Sequence, residues 1–210
     1  MTRVVPFGEA ALLVELEQRV DPSIAARVAA IADAWESLGH GPAVPTYSAA
    51  VLRFDPLALD PDQAERAARE LAESTVAAPS LETGIVHEIP TRYDGEDLEE
   101  VARLSGLSVP ALIAAHTGRD HLAFFLGFMP GFAYLGPTDA RIVAPRLASP
   151  RSRVPGGAVA VADGQTSVYP STSPGGWRLI GSTDARMFDA RRDPPVLLRP
   201  GDRVRFVASP

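Results

Sequence analysis

Residues 126–136 read Leu126-Gly127-Phe128-Met129-Pro130-Gly131-Phe132-Ala133-Tyr134-Leu135-Gly136. The stretch combines four large aromatic or sulfur-containing side chains with three glycines and one proline. Adjacent proline and glycine do not fit the interior of a helix, and proline does not fit the middle of a regular strand. The pattern therefore predicts a strand that runs into a rigid, aromatic-walled turn. Such rings either fill a core or line a pocket, because glycine lets a ligand or a second backbone approach closely.

The chain after this turn carries short strand signals separated by glycine and proline. Asp163-Gly164 joins two small apolar segments and predicts a hairpin with a two-residue loop. Further strands are predicted at Trp177–Ile180, Val196–Leu198 and Val204–Val207. Many short strands at this spacing are typical of a closed or nearly closed barrel.

The segment before the turn predicts a strand at Gly84–Tyr93 and two short helices, Asp97–Leu104 and Ser108–Thr117. The helix pair resembles a helix-turn-helix. Its second helix, however, contains no Arg, Lys, Asn or Gln with which to read the edges of bases. The formal net charge of −6 also argues against nucleic acid as a partner, so we expect none.

The first 75 residues alternate between strand and helix signals. Helices are predicted from Asp21-Pro22 and from Asp60-Pro61, where an acidic cap precedes a proline. This alternation predicts a small α+β domain of the split βαβ type. The small, polar segment Glu73–Thr83 is interpreted as a linker, which divides the chain into domains at 1–80 and 81–210.

Composition restricts the chemistry that the chain can perform. Its 210 residues include no cysteine, lysine or asparagine, so all 20 cationic side chains of the Lys and Arg type are arginines. Thiolate metal sites, thiol nucleophiles and lysine-linked cofactors are thereby excluded, and no metal motif is present. Any anion must be bound by arginine or by backbone N–H groups. No apolar run is long enough for a membrane span and no signal peptide is visible, so we expect a cytoplasmic protein without membrane contact.

Glycine-rich corners beside arginines make an anion site plausible in the second half of the chain. Glycine clusters occur in the aromatic turn, at Pro155-Gly156-Gly157 and at Pro174-Gly175-Gly176. Arginines flank the last two clusters, at positions Arg146, Arg151, Arg153 and Arg178. The alternative interpretation is that these glycines are ordinary barrel corners and the arginines ordinary surface residues.

Several long motifs resemble a known family. They are Tyr93-Asp94-Gly95-Glu96-Asp97-Leu98, the aromatic turn, Pro150-Arg151-Ser152-Arg153-Val154-Pro155, Gln165-Thr166, and Ser173-Pro174-Gly175-Gly176-Trp177. Together they are similar to the family of the 5-oxoprolinase B subunit, also called allophanate hydrolase subunit 1 or the sporulation-kinase inhibitor family, with its carboxyltransferase-type subdomains. The resemblance implies a small N-terminal ferredoxin-like α+β domain followed by a mainly β, cyclophilin-like barrel domain.

The resemblance also implies a function and partners. Family members act with a larger protein related to allophanate hydrolase subunit 2, which is the C subunit of 5-oxoprolinase, and with a third, lactam-hydrolase-like subunit. Together these proteins open 5-oxo-L-proline to L-glutamate with ATP as cofactor, bound at or shared with a partner, and we expect this subunit to be inactive alone. The alternatives are a regulatory protein that inhibits a sensor histidine kinase and a carboxyltransferase-like module of a urea carboxylase or allophanate pathway.

The expected chemistry selects a set of candidate substrate-binding residues. Binding of phosphoryl oxygens and of a substrate carboxylate requires cations and donors, which arginines on glycine-cornered loops can supply. We therefore expect a shared groove lined by nine residues: Phe128, Phe132, Arg151, Arg153, Gln165, Tyr169, Gly175, Gly176 and Trp177. No catalytic residue and no metal ligand is predicted.

Overall fold

The computed structural model describes residues 2–75 and 84–210. The chain divides into two compact units, Met1–Leu81 and Glu82–Pro210. Of the predicted linker Glu73–Thr83, the first two residues belong to a helix, and residues 76–83 lie outside the described residues.

Unit 1 is a four-stranded antiparallel sheet with two helices. Its elements are β1 (Arg3–Pro6), β2 (Ala11–Glu15), α1 (Pro22–Ser37), β3 (Ala43–Pro45), β4 (Ala49–Arg53) and α2 (Pro61–Ser74). The Asp21 side chain accepts from the Ser23 backbone N–H at 2.9 Å and caps α1 as the sequence predicts. The apolar face of α1 includes Val28, Ile31 and Trp35, all buried. The Trp35 indole N–H donates to the Arg53 carbonyl at 2.9 Å, so this helix is tied to β4.

The strand order of unit 1 is β1-β2-β4-β3. Because β4 is antiparallel to both of its neighbours, β2 and β3 are parallel to each other and are joined through α1. This is the predicted split βαβ arrangement. The ferredoxin-like detail is not confirmed. In a ferredoxin-like domain the outer strand next to β2 would follow the second helix, whereas here that strand is β1, which precedes the first helix.

Unit 2 contains nine strands and two helices among its described residues. They are β5 (Val86–Thr91), α3 (Leu98–Ser105), α4 (Val109–Thr117), β6 (His121–Leu126), β7 (Ala133–Gly136), β8 (Arg151–Val154), β9 (Ala158–Ala162), β10 (Gln165–Val168), β11 (Ser173–Gly175), β12 (Arg178–Ser182) and β13 (Arg203–Ala208). Strands β8 and β11 form a separate pair, and the other seven form one sheet in the order β12-β9-β10-β7-β6-β13-β5.

The two ends of the seven-stranded sheet meet, which makes it a nearly closed barrel. The Arg92 N–H donates to the Ser182 carbonyl at 2.8 Å, and the Ser182 N–H donates back to the Arg92 carbonyl at 2.7 Å. Gly181 lies at this junction, where a Cβ would collide with the Arg92 carbonyl oxygen. The closure of the barrel therefore requires a residue without a Cβ at position 181.

The predicted hairpin at Asp163-Gly164 is confirmed. Both residues have positive φ, 49° and 79°, as a primed two-residue turn requires, and the turn joins β9 to β10. The predicted strand at Val196–Leu198 is wrong. That segment makes only one isolated bridge, between Phe188 and Val196, because the chain opposite it, at residues 187–189, does not continue as a strand.

A buried histidine lies in the core of the barrel unit. The Thr166 hydroxyl donates its only hydrogen to the Ala160 carbonyl at 3.0 Å, so His116 Nε2, 2.9 Å from that hydroxyl, must be the N–H donor. His116 Nδ1 is then the acceptor for the Tyr93 hydroxyl at 2.7 Å. Burial holds the pKa of His116 well below its usual value, with a contribution from nearby His121. Burial also lowers the pKa of His121, whose Nε2 donates to the His116 carbonyl at 2.9 Å.

These two histidines predict a dependence of stability on pH. Both rings are neutral in the folded state, but in the unfolded chain they bind protons as the pH falls through the ordinary histidine pKa of 6.5. The stabilisation is therefore complete above about pH 6.5 and is lost as the pH falls below it, at up to about 1.4 kcal/mol per pH unit for His116, and His121 adds a loss of the same sign. Urea denaturation followed by amide NMR signals of the barrel strands measures this slope. Ring signals of His116 and His121 that titrate in the folded protein with midpoints near pH 6.5 would contradict the explanation.

Candidate functional site

The predicted aromatic turn connects β6 to β7. The Gly127 N–H donates to the Phe132 carbonyl at 3.1 Å, and the Phe132 N–H donates to the Met129 carbonyl at 3.1 Å, so the turn is closed by its own backbone. Gly131 has a φ of 80°, and a Cβ there would lie 2.7 Å from the Phe188 Cβ, which explains the glycine. Phe128 has a φ of 67°, which is unusual for a bulky residue, and its side chain is 61% exposed.

Phe132 is the centre of an aromatic cluster. Its ring makes edge-to-face contacts with Phe128, Tyr134, Tyr169 and Trp177, with centroids 5.4, 5.1, 5.3 and 5.7 Å away. These distances and angles are the ones that aromatic pairs prefer. The rings come from three segments of the chain, so the barrel brings them together.

The cluster lines a cavity of about 260 Å³ that we call the aromatic cup. Its lining consists of Phe128, Phe132, Tyr134, Arg146, Pro150, Tyr169, Pro174, Gly175, Gly176 and Trp177. A Cβ on Gly175 would collide with the Tyr169 hydroxyl, so glycine is required for the wall to lie against this ring.

The charge of the cup comes from one side chain. Of the described residues that line it, Arg146 alone is charged. Burial raises the pKa of both Tyr134 and Tyr169, with Arg146 opposing the shift in each case, so both phenols keep their protons at neutral pH. The cup can therefore offer a ligand aromatic faces, two neutral hydroxyl groups and one guanidinium.

Six of the nine predicted binding residues line the aromatic cup, and three do not. The six are Phe128, Phe132, Tyr169, Gly175, Gly176 and Trp177. Arg151, Arg153 and Gln165 are absent from the lining, so the structure does not bring all nine into one groove. Arg153 is exposed, and Gln165 is 9% exposed at the start of β10.

Arg151 has a structural environment that differs from the one expected. Its Nε lies 2.7 Å from Glu96, and its Nη2 lies 2.9 Å from Asp97. The other carboxylate oxygen of Asp97 accepts from the Leu179 N–H at 2.7 Å. Arg151 thus ties the segment before α3 to the barrel and is neutralised by two acids, which leaves it poorly suited to bind a substrate anion in this state.

Sequence reasoning leaves four lining residues out of the candidate set: Tyr134, Arg146, Pro150 and Pro174. Tyr134 is detectable, because it follows Phe132 by two residues and so shares its side of the extended chain. Arg146 is one of the arginines near the second glycine cluster. No local pattern distinguishes it from Arg151, since only the fold brings Arg146 to Trp177.

A second cavity, of about 340 Å³, lies in the same unit and has an acidic character. It is lined by Asp94, Gly95, Glu96, Pro155, Gly156, Ala158, Leu179, Gly181 and Ser182. Asp94 accepts from the Ser182 hydroxyl at 3.0 Å, and Glu96 pairs with Arg151. Within residues 2–75 and 84–210, no group of three or more metal-ligating side chains could hold a metal ion. The helices in the same ranges are all too short or too polar to cross a membrane.

Comparison with known proteins identifies the family. The model of a family described as "Carboxyltransferase domain, subdomain C and D" matches residues 2–198. The chain belongs to this carboxyltransferase-domain family. It is also 40% identical over 206 residues to the B subunit of 5-oxoprolinase from Escherichia coli O157:H7, a match that covers 96% of this chain and 93% of that protein. The resemblance to the 5-oxoprolinase B subunit that the motifs predict is therefore confirmed.

Further relatives of this carboxyltransferase-domain chain share its sequence or its fold. The 5-oxoprolinase B subunit of Bacillus subtilis (strain 168) is 50% identical over 123 residues, which cover 57% of this chain and 51% of that protein. The crystal structure of TTHA0988 in space group P212121 is 38% identical, with a TM-score of 0.81 over the whole of this chain and 40% of its own. The chain thus spans less than half of that solved protein. Kluyveromyces lactis urea carboxylase shares the fold at a TM-score of 0.83 and 16% identity, over all of this chain and 22% of its own.

Proposed function

We propose that the chain is a subunit of an ATP-dependent 5-oxoprolinase complex that converts 5-oxo-L-proline to L-glutamate. The observation that carries this proposal is the 40% identity to a protein named as the B subunit of 5-oxoprolinase, because it extends over 96% of the chain. A similarity of that extent includes both units rather than one shared barrel. The aromatic cup adds support, since it offers one cation and apolar walls to a small cyclic acid.

The proposed reaction needs more than this chain offers. The net conversion consumes ATP and two water molecules and yields glutamate, ADP and phosphate. A lactam is a poor electrophile, and phosphorylation of its carbonyl oxygen would make the ring carbon easier for water to attack. Phosphoryl transfer requires several cations or a glycine-rich phosphate loop, whereas the aromatic cup has a single arginine. We therefore assign ATP to a site on a partner or shared with one.

The partner in this proposal is the larger protein related to allophanate hydrolase subunit 2, with a lactam-hydrolase-like third subunit. TTHA0988 fits this view, because the chain aligns with only 40% of that solved protein and leaves room for a companion module. We also propose that unit 2 is a cyclophilin-like barrel and that unit 1 is a rearranged ferredoxin-like domain. An ATP-consuming complex works where ATP is available, so the proposal places it in the cytoplasm.

Reconstitution tests the proposed function. The chain, the larger partner and the lactam-hydrolase-like protein are produced from the same genome, purified separately and mixed. We expect ATP-dependent glutamate release from 5-oxo-L-proline by the mixture and none by the chain alone. Omission of the chain from the mixture is the matched control. A mixture that shows no release, or the same release without the chain, would refute the assignment.

A second candidate function, carboxyl transfer, is favoured by the description of the family. The 16% identity to urea carboxylase shows a common fold and does not carry that activity over. A chain without lysine cannot itself carry biotin, so a biotinylated partner would be needed. Transfer of carboxyl from a biotinylated partner to urea, without glutamate release, would favour this alternative.

A further inference from the structure

Arg146 occupies the wall of the aromatic cup in a position suited to an incoming anion. Its guanidinium carbon lies 5.7 Å from the centre of the Trp177 ring, within the range of a cation–π contact. Its Nε lies 3.1 Å from a carboxylate oxygen of Asp163, and the two side chains are 56% and 53% exposed. An ion pair this exposed is weak and can be exchanged for another carboxylate at little cost.

The backbone around Arg146 is fixed on both sides. The Pro145 carbonyl accepts from Arg178 Nε at 3.1 Å, and the Leu147 N–H donates to the Gly176 carbonyl at 2.8 Å. One residue earlier, the Ala144 carbonyl accepts from the Asp163 N–H at 2.9 Å. Arg146 and Asp163 therefore sit on segments that are hydrogen-bonded to each other and to the glycine wall of the cup. Because its backbone is already fixed, Arg146 has only side-chain freedom to lose when it binds a ligand.

The size and lining of the cup restrict the ligand. A volume of about 260 Å³ lies below the range of about 300–1,000 Å³ that drug-sized ligands occupy. One cation can balance one carboxylate but not the several negative charges of a nucleotide. The remaining walls are rings, prolines and glycines, and no carboxylate belongs to the described lining, so a small ring with one carboxylate is the best match.

We propose that the aromatic cup binds a small cyclic monocarboxylate of the lactam-acid class, and that Arg146 binds its carboxylate in exchange for Asp163. The lactam-acid class and the choice of 5-oxo-L-proline as this ligand rest on the proposed function, whereas a small cyclic monocarboxylate as ligand rests on the lining of the cup. In the exchange, one carboxylate replaces another at the guanidinium, and no covalent bond changes. Asp163 thus competes with the ligand carboxylate and pairs with Arg146 when no ligand is bound in the cup.

Calorimetric titration of the full chain and of the reconstituted complex with 5-oxo-L-proline tests the assignment. Arg146→Gln is expected to weaken binding by about 10- to 100-fold, the loss typical of a hydrogen bond to a charged group. Arg141→Gln is the matched control, because Arg141 pairs with Asp139 and does not line the cup. 2-Pyrrolidinone, the same lactam without a carboxylate, should bind wild type and Arg146→Gln equally weakly.

Asp163→Asn is the variant that separates ligand binding from a structural role. Asparagine suits the positive φ of residue 163 and keeps the Asn-Gly hairpin turn, so the fold should persist. Removal of the competing charge should strengthen binding of 5-oxo-L-proline several-fold, an effect that a merely structural salt bridge would not produce. Weaker or unchanged binding in Asp163→Asn would overturn the exchange.

The outcomes also separate this inference from the proposed function. A complex that releases glutamate with an unchanged KM in the Arg146→Gln variant would overturn the role of Arg146 and leave the proposed function standing. A complex without any 5-oxoprolinase activity would remove the proposed function. If other cyclic monocarboxylates, such as furan-2-carboxylate, then bind in a way that depends on Arg146, the proposed ligand-binding role of the cup is supported. Failure of the wild-type chain and complex to bind any of these acids would overturn it.

Discussion

The Arg151→Ala variant is expected to lose about 3 kcal/mol of the free energy of unfolding of unit 2. Arg151 bridges Glu96 and Asp97, and the Asp97 side chain is only 9% exposed. Without the Arg151 guanidinium, the buried Asp97 carboxylate still accepts a hydrogen bond from the Leu179 N–H. Its nearest remaining cation is then Arg178, 4.0 Å away. Breaking a buried pair from one side is costly because the remaining charge loses its nearest cation, and the Leu179 N–H with the more distant Arg178 replaces only part of that compensation.

Arg153 provides a matched control two residues along the same strand. Its side chain is exposed, and Arg153→Ala is expected to change the free energy of unfolding by less than about 0.5 kcal/mol. Urea denaturation of the full-length variants, followed by amide NMR signals of the barrel strands, measures both. Equal stability of the two variants, with turnover of the complex abolished only by Arg151→Ala, would restore Arg151 as a substrate-binding residue and contradict the structural role argued above.

The second large effect is expected at the closure of the barrel. In the Gly181→Ala variant, the new methyl group would meet the Arg92 carbonyl, and strands β5 and β12 would have to separate locally. The loss of the two Arg92–Ser182 hydrogen bonds and the backbone shift together should cost about 3 kcal/mol. The same change should increase hydrogen exchange at the amides of residues 92 and 182 before global unfolding.

Gly127→Ala is the control for the closure prediction. A Cβ at residue 127 would lie 3.4 Å from the nearest atom of Phe125, which is ordinary van der Waals contact. This variant should therefore differ from wild type by less than about 1 kcal/mol. If Gly181→Ala is as stable as Gly127→Ala, or keeps wild-type protection at residues 92 and 182, the barrel does not depend on a glycine at its closure.

Local chemistry explains which parts of the fold were predictable. The Asp163-Gly164 hairpin and the caps at Asp21 and Asp60 depend on a few adjacent residues, and the structure confirms them. The segment Val196–Leu198 carries strand-like residues but pairs only at one bridge, because the chain opposite it at Phe188 does not continue as a strand. Apolar composition alone did not reveal that Leu198 packs in the core without belonging to a sheet.

The aromatic residues of the candidate site could be predicted from the sequence, but the roles of its arginines could not. Phe132, Tyr169 and Trp177 are large and lie in or near glycine-rich corners, and their convergence follows from the barrel. Arg151 and Arg146 look alike in sequence. Their roles differ because Asp97, 54 positions from Arg151, neutralises one of them, and because a hairpin carries Asp163 to the other. The substrate-binding roles of the nine candidate residues stay predictions.

The parallel pairing of β5 with β13 has a consequence for synthesis on the ribosome. Val86 is opposite Arg203, so β5 cannot pair with β13 until more than a hundred further residues have been synthesised. Until then β5 is an unprotected edge that invites pairing with another nascent chain. Translation speed and chaperone supply should therefore influence the yield of this unit more than that of Met1–Leu81, whose strands all lie within about fifty residues of one another.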